Sequence, residues 1–298
     1  MDVGIVIVNW NTRDLLRDCL NSLAAQRGVT TRVVVVDNAS DDGSAGMVRA
    51  EFPDVLVIAN AENTGYPHAN NQGLRALGFD QGCGDDAPRY ALALNPDTVV
   101  PPDALGAMVA YMDADPALGA AGPKLVLLNG ELDLACRRSF PTPEISFYRM
   151  VGLSKLFPRS RRFGRYNMTY LDPDIETEVD SVVGAFMLVR RAALQQVGLF
   201  DDVFFMYGED LDWAYRIKQA GWTIKYNPRV RVTHVKRAAS RQSRRAQTEF
   251  YRAMLIFYRK HYRTTTPWWL HNLILLGLAL RGGRPLLAEL RRPTAVSG

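Results

Sequence analysis

The chain has 298 residues, 47% hydrophobic and 22% charged, with 23 Gly and 16 Pro. That balance excludes a disordered or collagen-like chain and allows one large domain or two small ones. Its net charge of +5 conceals an acidic body and a basic tail, because residues 236–298 hold 13 Lys and Arg against 2 acids. The three cysteines, Cys19, Cys83 and Cys136, are far apart with no CxxC, so a reducing compartment fits better than a disulfide framework or a zinc knuckle.

The N-terminus runs from Asp2 into GIVIVNW (4–10) without a basic leader, so no secretory signal is expected. GIVIVNW predicts a strand, and Leu15, Leu16, Cys19, Leu20 and Leu23 predict a helix over 13–25. RVVVVDNAS (32–40) predicts a strand buried on both faces of a parallel sheet. A helix at 44–51, a strand at 55–60, a helix near 66–77 and a strand at 90–97 continue the βαβ alternation, which predicts an open, mostly parallel α/β sheet. Pro101, Pro102 and Asp103 mark the start of a helix at 103–112. Residues 123–178 read as loop-rich with short helices and a basic cluster at Arg159, Arg161, Arg162 and Arg165. A strand at 179–189, helices from Arg191 and at 209–220, and a strand at 223–235 complete the body.

In the tail, Phe250, Met254, Phe257, Tyr258 and Tyr262 recur at helical spacing among basic residues over 247–263, the pattern of a cationic helix lying on a membrane surface. The apolar run from Trp268 to Leu280 is too short to cross a bilayer. It is expected either to dip into the membrane or to pack on the body. Its Trp, Leu and Ile content favours lipid over nucleic acid as the partner of the basic charge.

Open parallel sheets bind ligands at the carboxyl ends of their strands. Here those ends carry Asn9 and Asn11, Asp37 and Asn38, Asn60 and Asn63, and Asn95 and Asp97. No GxGxxG follows the first strand and no GxxxxGK[ST] occurs, so a nucleotide would be held by side chains and a metal ion. Asp97 can ligate a hard divalent cation such as Mg²⁺ or Mn²⁺, and the same Asn95-Pro96-Asp97 is also good turn chemistry. At 209–220 the spacing makes Asp212 an ion-pair partner of Arg216, whereas Glu209 and Asp210 at the helix start complement the dipole or take a proton from a hydroxyl. His234 ends a strand and is either a structural residue or a metal ligand.

IVIVNWN (5–11), VVVDNASDDGS (34–44), NTGYPHANNQG (63–73), LALNPD (92–97), VGAFMLVRR (183–191) and GEDLDWAYRIKQAGW (208–222) together resemble the family 2 inverting glycosyltransferases of the GT-A fold. LALNPD takes the place of the DxD motif and GED that of the ED motif. The resemblance implies a nucleotide-sugar-binding half (1–100), continuous with an acceptor-binding and catalytic half (101–235) and followed by basic helices that associate with a membrane (236–298). It implies that Asp37 contacts the pyrimidine base with Asn9 and Asn63 nearby, and that Asp97 holds a divalent metal (Mg²⁺ or Mn²⁺) with His234 as a further ligand or diphosphate contact. Asp210 is then the general base, beside Glu209. Gly184 and Ala185 admit the acceptor, and Trp213 or Trp222 packs on a sugar face. Asn95, also expected at the nucleotide sugar, departs from the family by bringing no charge where many members have an Asp, though its amide oxygen can still bond a ribose hydroxyl or weakly coordinate a cation.

The similar subgroup is rhamnosyltransferase-like. The expected reaction is therefore inverting transfer of a sugar, L-rhamnose in this subgroup, from a nucleoside-diphosphate sugar to a lipid-linked or cell-surface glycan precursor. The expected location is the cytoplasmic face of the membrane, with the enzyme peripheral on it. A nucleotidyltransferase would need a Gly- and Lys/Arg-rich phosphate loop near the first strand, which is missing. A non-catalytic nucleotide-sugar-binding membrane protein would have no need of Asp97, Glu209, Asp210 and His234 together.

Overall fold

The computed structural model describes residues 1–80, 86–236 and 244–291; Cys83 lies outside them. Cys19 and Cys136 are buried free thiols. Four parallel strands form the N-terminal half: β1 (Val3–Asn9), β2 (Thr31–Asp37), β3 (Leu56–Ala59) and β4 (Tyr90–Leu94), in the order β3-β2-β1-β4. Helices α1 (Arg13–Ala24), α2 (Ser44–Glu51) and α3 (Tyr66–Ala76) make the crossovers. Every residue of β1 and β4 is buried, as unbroken apolar runs require. A Cβ on Gly73 of α3 would lie 2.4 Å from Val6, so glycine there lets the helix approach the sheet.

The first half closes with β5 (Thr98–Val99), and the second adds α4 (Ala104–Asp113), β6 (Leu118–Val126), α5 (Pro143–Met150), α6 (Leu153–Leu156), β7 (Thr177–Glu178), β8 (Phe186–Arg190), α7 (Arg191–Val197), α8 (Glu209–Gln219) and β9 (Thr223–His234). β8 runs antiparallel to both β4 and β6, and β6 is parallel to β9. One sheet thus runs through both halves, β3-β2-β1-β4-β8-β6-β9-β5, with β7 on β9. It is a mixed sheet, parallel throughout its first four strands, as the resemblance to the GT-A fold implies.

Two strands depart from expectation. β6 lies inside a stretch without a strand signal, because its LGAAGPKLV is poor in β-formers. Its small residues answer to close neighbours: a Cβ on Gly119 would lie 2.5 Å from Trp222 Cβ, and one on Gly122 2.8 Å from Val182 Cβ. The strand expected over 179–189 is regular only from Phe186, since the chain ahead of it bends to turn its backbone groups toward α3 and α8.

The tail folds as α9 (Arg244–His261) and α10 (Trp268–Arg291), the latter broken at Gly283, where φ is 68°. α9 is not the free interfacial helix its pattern suggested. Ala253 and Phe257 join the main core, and the rings of Phe140, Tyr215 and Phe257 pack together. Leu255 meets Leu278 and Leu286 of α10 in a smaller cluster. No described helix is long and apolar enough to cross a membrane.

Candidate functional site

The site lies where β1, β2 and β4 end and β8 begins. Leu94 pairs with Phe186, so the Asn95-Pro96-Asp97 turn leaves the sheet beside Gly184 and Ala185, and the Asn95 N–H donates to the Ala185 carbonyl at 3.1 Å. β5 then pairs Thr98 with His234. That antiparallel step brings Asp97 Oδ1 to 3.2 Å from His234 Nε2 although the two residues are remote in sequence.

His234 is clamped from its other side by Asp133, 2.8 Å from Nδ1, and Lys236 Nζ donates to the same carboxylate at 2.7 Å. Desolvation alone would lower the imidazole, but hydrogen bonds to Asp133 and Asp97 outweigh it and push it up to about 9. Burial alone would raise Asp133, yet bonds from His234 and Lys236 hold it well below the usual carboxylate range. Asp133 carried no signal in the sequence: it sits in an irregular segment, next to a short 3-10 turn.

Among the described residues no group of three or more His, Cys, Asp or Glu side chains could hold a metal ion. Asp97 and His234 still make a two-donor edge, and a carboxylate behind an imidazole is the arrangement that orients a metal-bound histidine. To serve a cation the pair would need further donors, and His234 would first have to release the proton that its two carboxylate partners hold on it.

The second centre is built around Gly184. The Asp210 Oδ2 atom accepts from the Gly184 N–H at 3.0 Å and from Arg138 Nη2 at 2.6 Å, while Oδ1 accepts from the Leu211 N–H at 2.8 Å. The Tyr66 hydroxyl lies 3.1 Å from the Gly184 carbonyl and 3.2 Å from Asn95 Oδ1, which joins the Asn/Gly-rich segment, the Asn-Pro-Asp turn and the segment ahead of β8. Tyr207 and Gly208 both adopt positive φ, a sharp turn that delivers Glu209 and Asp210 to this point. Gly65 (φ 89°) is required for the docking of α3, since a Cβ there would lie 2.7 Å from the Phe205 carbonyl oxygen.

Glu209 is buried, and its Oε2 has no hydrogen-bond partner among the described residues. Burial, reinforced by the Asp210 charge, pushes its carboxyl up to about 8. Burial, with Glu209 nearby, likewise raises the Tyr66 phenol. Arg138 and Tyr66 were not among the expected site residues. The one hint for Arg138 was a pair of arginines in an otherwise apolar stretch.

The other expected residues are engaged by internal partners. Asn9 has no exposed surface; its amide donates to Asp37 Oδ1 at 2.8 Å and to Ser40, and its oxygen accepts from Thr12, so it orients Asp37 and the start of α1 rather than meeting a ligand. Asp37 is 3% exposed, with Oδ2 accepting from the Ser40 N–H. Asn63 accepts from Asn38 and from the Gly65 N–H, stiffening the segment ahead of Tyr66. Ala185 is buried.

Trp213 cannot pack on a sugar: it is wholly buried against Phe200, with its indole N–H on the Gly198 carbonyl. Trp222 follows the far end of α8, and a helix of 11 residues, roughly 16 Å at 1.5 Å each, removes it from Asp210. Asp212 pairs with Arg216 at 2.9 Å as its spacing predicts, and also binds Lys260 and His261 of α9.

A family model described as "Glycosyltransferase like family 2" matches residues 2–252. The N-acetylglucosaminyl-diphospho-decaprenol L-rhamnosyltransferase of Mycobacterium tuberculosis (strain ATCC 25618 / H37Rv) is 31% identical over 217 residues, which are 72% of this chain and 69% of that protein. The crystal structure of S. aureus TarS superposes with a TM-score of 0.57 at 16% identity, covering 94% of this chain and 43% of that one. GalNAc-T7, solved with UDP, GalNAc and Mn²⁺, gives a TM-score of 0.63 at 15% identity over 98% of this chain and 54% of its own. The chain thus spans about half the length of these two structures.

Proposed function

The chain belongs to glycosyltransferase family 2 and is a glycosyltransferase, and we propose that it transfers L-rhamnose with inversion from a nucleoside-diphosphate sugar to a hydroxyl of a lipid-linked glycan precursor. The choice of sugar and acceptor is supported by the mycobacterial L-rhamnosyltransferase relative. The observation that carries the reaction is the convergence of Asp210, Gly184, Tyr66 and Asn95 beside the Asp97–His234 pair. Residues 1–100 serve the donor and 101–235 the acceptor in this reading.

A carboxylate offers about four acceptor positions. Three on Asp210 are filled, which leaves one on Oδ1 for an acceptor hydroxyl. Asp210 takes the proton of that hydroxyl as its oxygen bonds to the anomeric carbon, and the bond from that carbon to the diphosphate breaks on the opposite face. Neutral Glu209 keeps a second negative charge away from the base. Asp97 and His234 would hold a divalent cation against the diphosphate; when bound, it stabilises the charge on the departing nucleoside diphosphate. A bare glycine at 184 leaves open to the acceptor a space that a Cβ would fill in ordinary contact with Asp210 Cβ and the Tyr66 hydroxyl, both at 3.6 Å.

The enzyme works at the cytoplasmic face, peripheral on an anionic membrane. Support comes from α10, which turns Trp268, Trp269, Leu273, Leu276 and Leu280 outward, and from the basic excess of the tail.

The deciding experiment is Asp210→Asn assayed with a panel of nucleotide sugars. Transfer should fall by at least about 100-fold, the lower range for loss of a general base, while donor binding, read by thermal stabilisation, persists. A variant that keeps substantial turnover would remove Asp210 from the role.

A further inference from the structure

We propose that the α5–α6 segment and the outer face of α10 form one docking surface for an anionic lipid bilayer, with the catalytic cleft held beside it. This rests on the membrane reading above, which assigned contact to α10 alone.

The two elements are joined. A Cβ on Gly277 of α10 would lie 2.9 Å from Met150 Sδ, and Arg281 donates to the Met150 carbonyl at 3.0 Å. Around this contact, large apolar side chains face solvent: Phe147, Val151, Leu156 and Phe157 on one element, and Trp269, Leu273, Leu276 and Leu280 on the other. Along α10 they are spaced by four, three and four residues, one stripe of a helix. Single exposed apolar residues are ordinary, but a contiguous set on two joined elements marks an interaction surface.

The charge selects the partner. Residues 145–171 hold six Lys and Arg and no acid, and residues 250–288 likewise hold six and none. Lys155, Arg159, Arg161 and Arg165 are exposed beside the apolar residues. A symmetric dimer would set this face against itself and oppose like charges. Anionic headgroups neutralise it, and the apolar side chains enter the acyl boundary.

The surface is linked to the chemistry. The Arg149 guanidinium of α5 lies 3.9 Å over the Tyr166 ring, the Tyr166 carbonyl accepts from the Ser139 N–H, and the neighbouring Arg138 pairs with Asp210. An acceptor whose lipid stays in the bilayer is thereby presented next to the base.

The test is flotation of the full chain with vesicles of phosphatidylcholine plus phosphatidylglycerol, and of phosphatidylcholine alone. The wild type should bind the anionic vesicles preferentially. Arg159→Gln with Arg161→Gln should lower its partition by roughly tenfold or more, on the scale of about 1 kcal/mol per basic residue at such a surface. Leu156→Ser with Phe157→Ser, and separately Leu273→Ser with Leu276→Ser, should each reduce it as well, with hydrolysis of the nucleotide sugar unchanged. If only the α10 variant loses binding, the two-element surface is wrong and the α10 reading survives. If the wild type ignores anionic vesicles, both readings fall. If light scattering finds a dimer that these variants split, the face is a self-association surface and the proposal is overturned.

Discussion

Asp210 and Arg138 are each less than a tenth exposed in their side chains and lie 2.6 Å apart, so each depends on the other for compensation of a buried charge. Breaking such a pair from one side costs about 3–5 kcal/mol. Arg138→Met should therefore lower the denaturation midpoint strongly, and its combination with Asp210→Asn should cost less than the two single changes added together, measured as a double-mutant cycle. Strict additivity would mean that the contact contributes nothing.

Glu209 offers a second check, through pH. Its folded pKa, about 8, stands above its ordinary 4.5. The folded chain therefore keeps a proton that the unfolded chain has lost between those values; the associated stability is full below about 4.5 and lost as pH rises through about 8. Glu209→Gln escapes that loss. The difference in Tm, variant minus wild type, should grow from about pH 6 to pH 9, and a pH-independent difference would sink the buried neutral carboxyl. Asp210 and Glu209 stood out in the sequence because two acids open a helix. Asp133, Arg138 and Tyr66 did not, since their importance comes from contacts made across the fold.

At the level of elements, the strands of the first half announce themselves because burial on both faces demands unbroken valine, isoleucine and leucine. β6 is hidden for the opposite reason: its neighbours press so closely that glycine and alanine replace the residues that signal a strand. Trp213 misleads in a similar way, as an aromatic near a catalytic motif that serves the packing of α8 on Phe200. Close approach also decides which glycines tolerate change. Gly73→Ala forces a methyl group to within 2.4 Å of Val6 and should cost about 1–3 kcal/mol. Gly46→Ala, in α2 with nothing within 4 Å of the new Cβ, should instead raise stability by about 0.5–1 kcal/mol. Thermal melts of the two variants check both signs.

Across the whole molecule, a cation at Asp97 and His234 would tie the β4–β5 turn to the end of β9, two segments far apart in sequence and joined by one short antiparallel pairing. Chelation should reduce transfer and added Mn²⁺ or Mg²⁺ restore it, while Asp97→Ala should lose that restoration. Chelator-resistant transfer in the wild type would remove the metal from the reaction.

Asp212 has a further consequence. It is wholly buried in α8, yet two of its partners, Lys260 and His261, belong to α9; with Arg216 they outweigh the effect of burial and bring its carboxyl down to about 2. Cutting the chain before α9 would leave this carboxylate with Arg216 and strip aromatic cover from Tyr215. A truncated form that lost membrane association would then also have a weakened interior, so point changes on the outer surface of the tail dissect attachment more cleanly than deletion. The same coupling makes the C-terminal helices poor candidates for exchange between relatives: a graft would need to bring a matching cation and imidazole for an acid on the recipient's own helix.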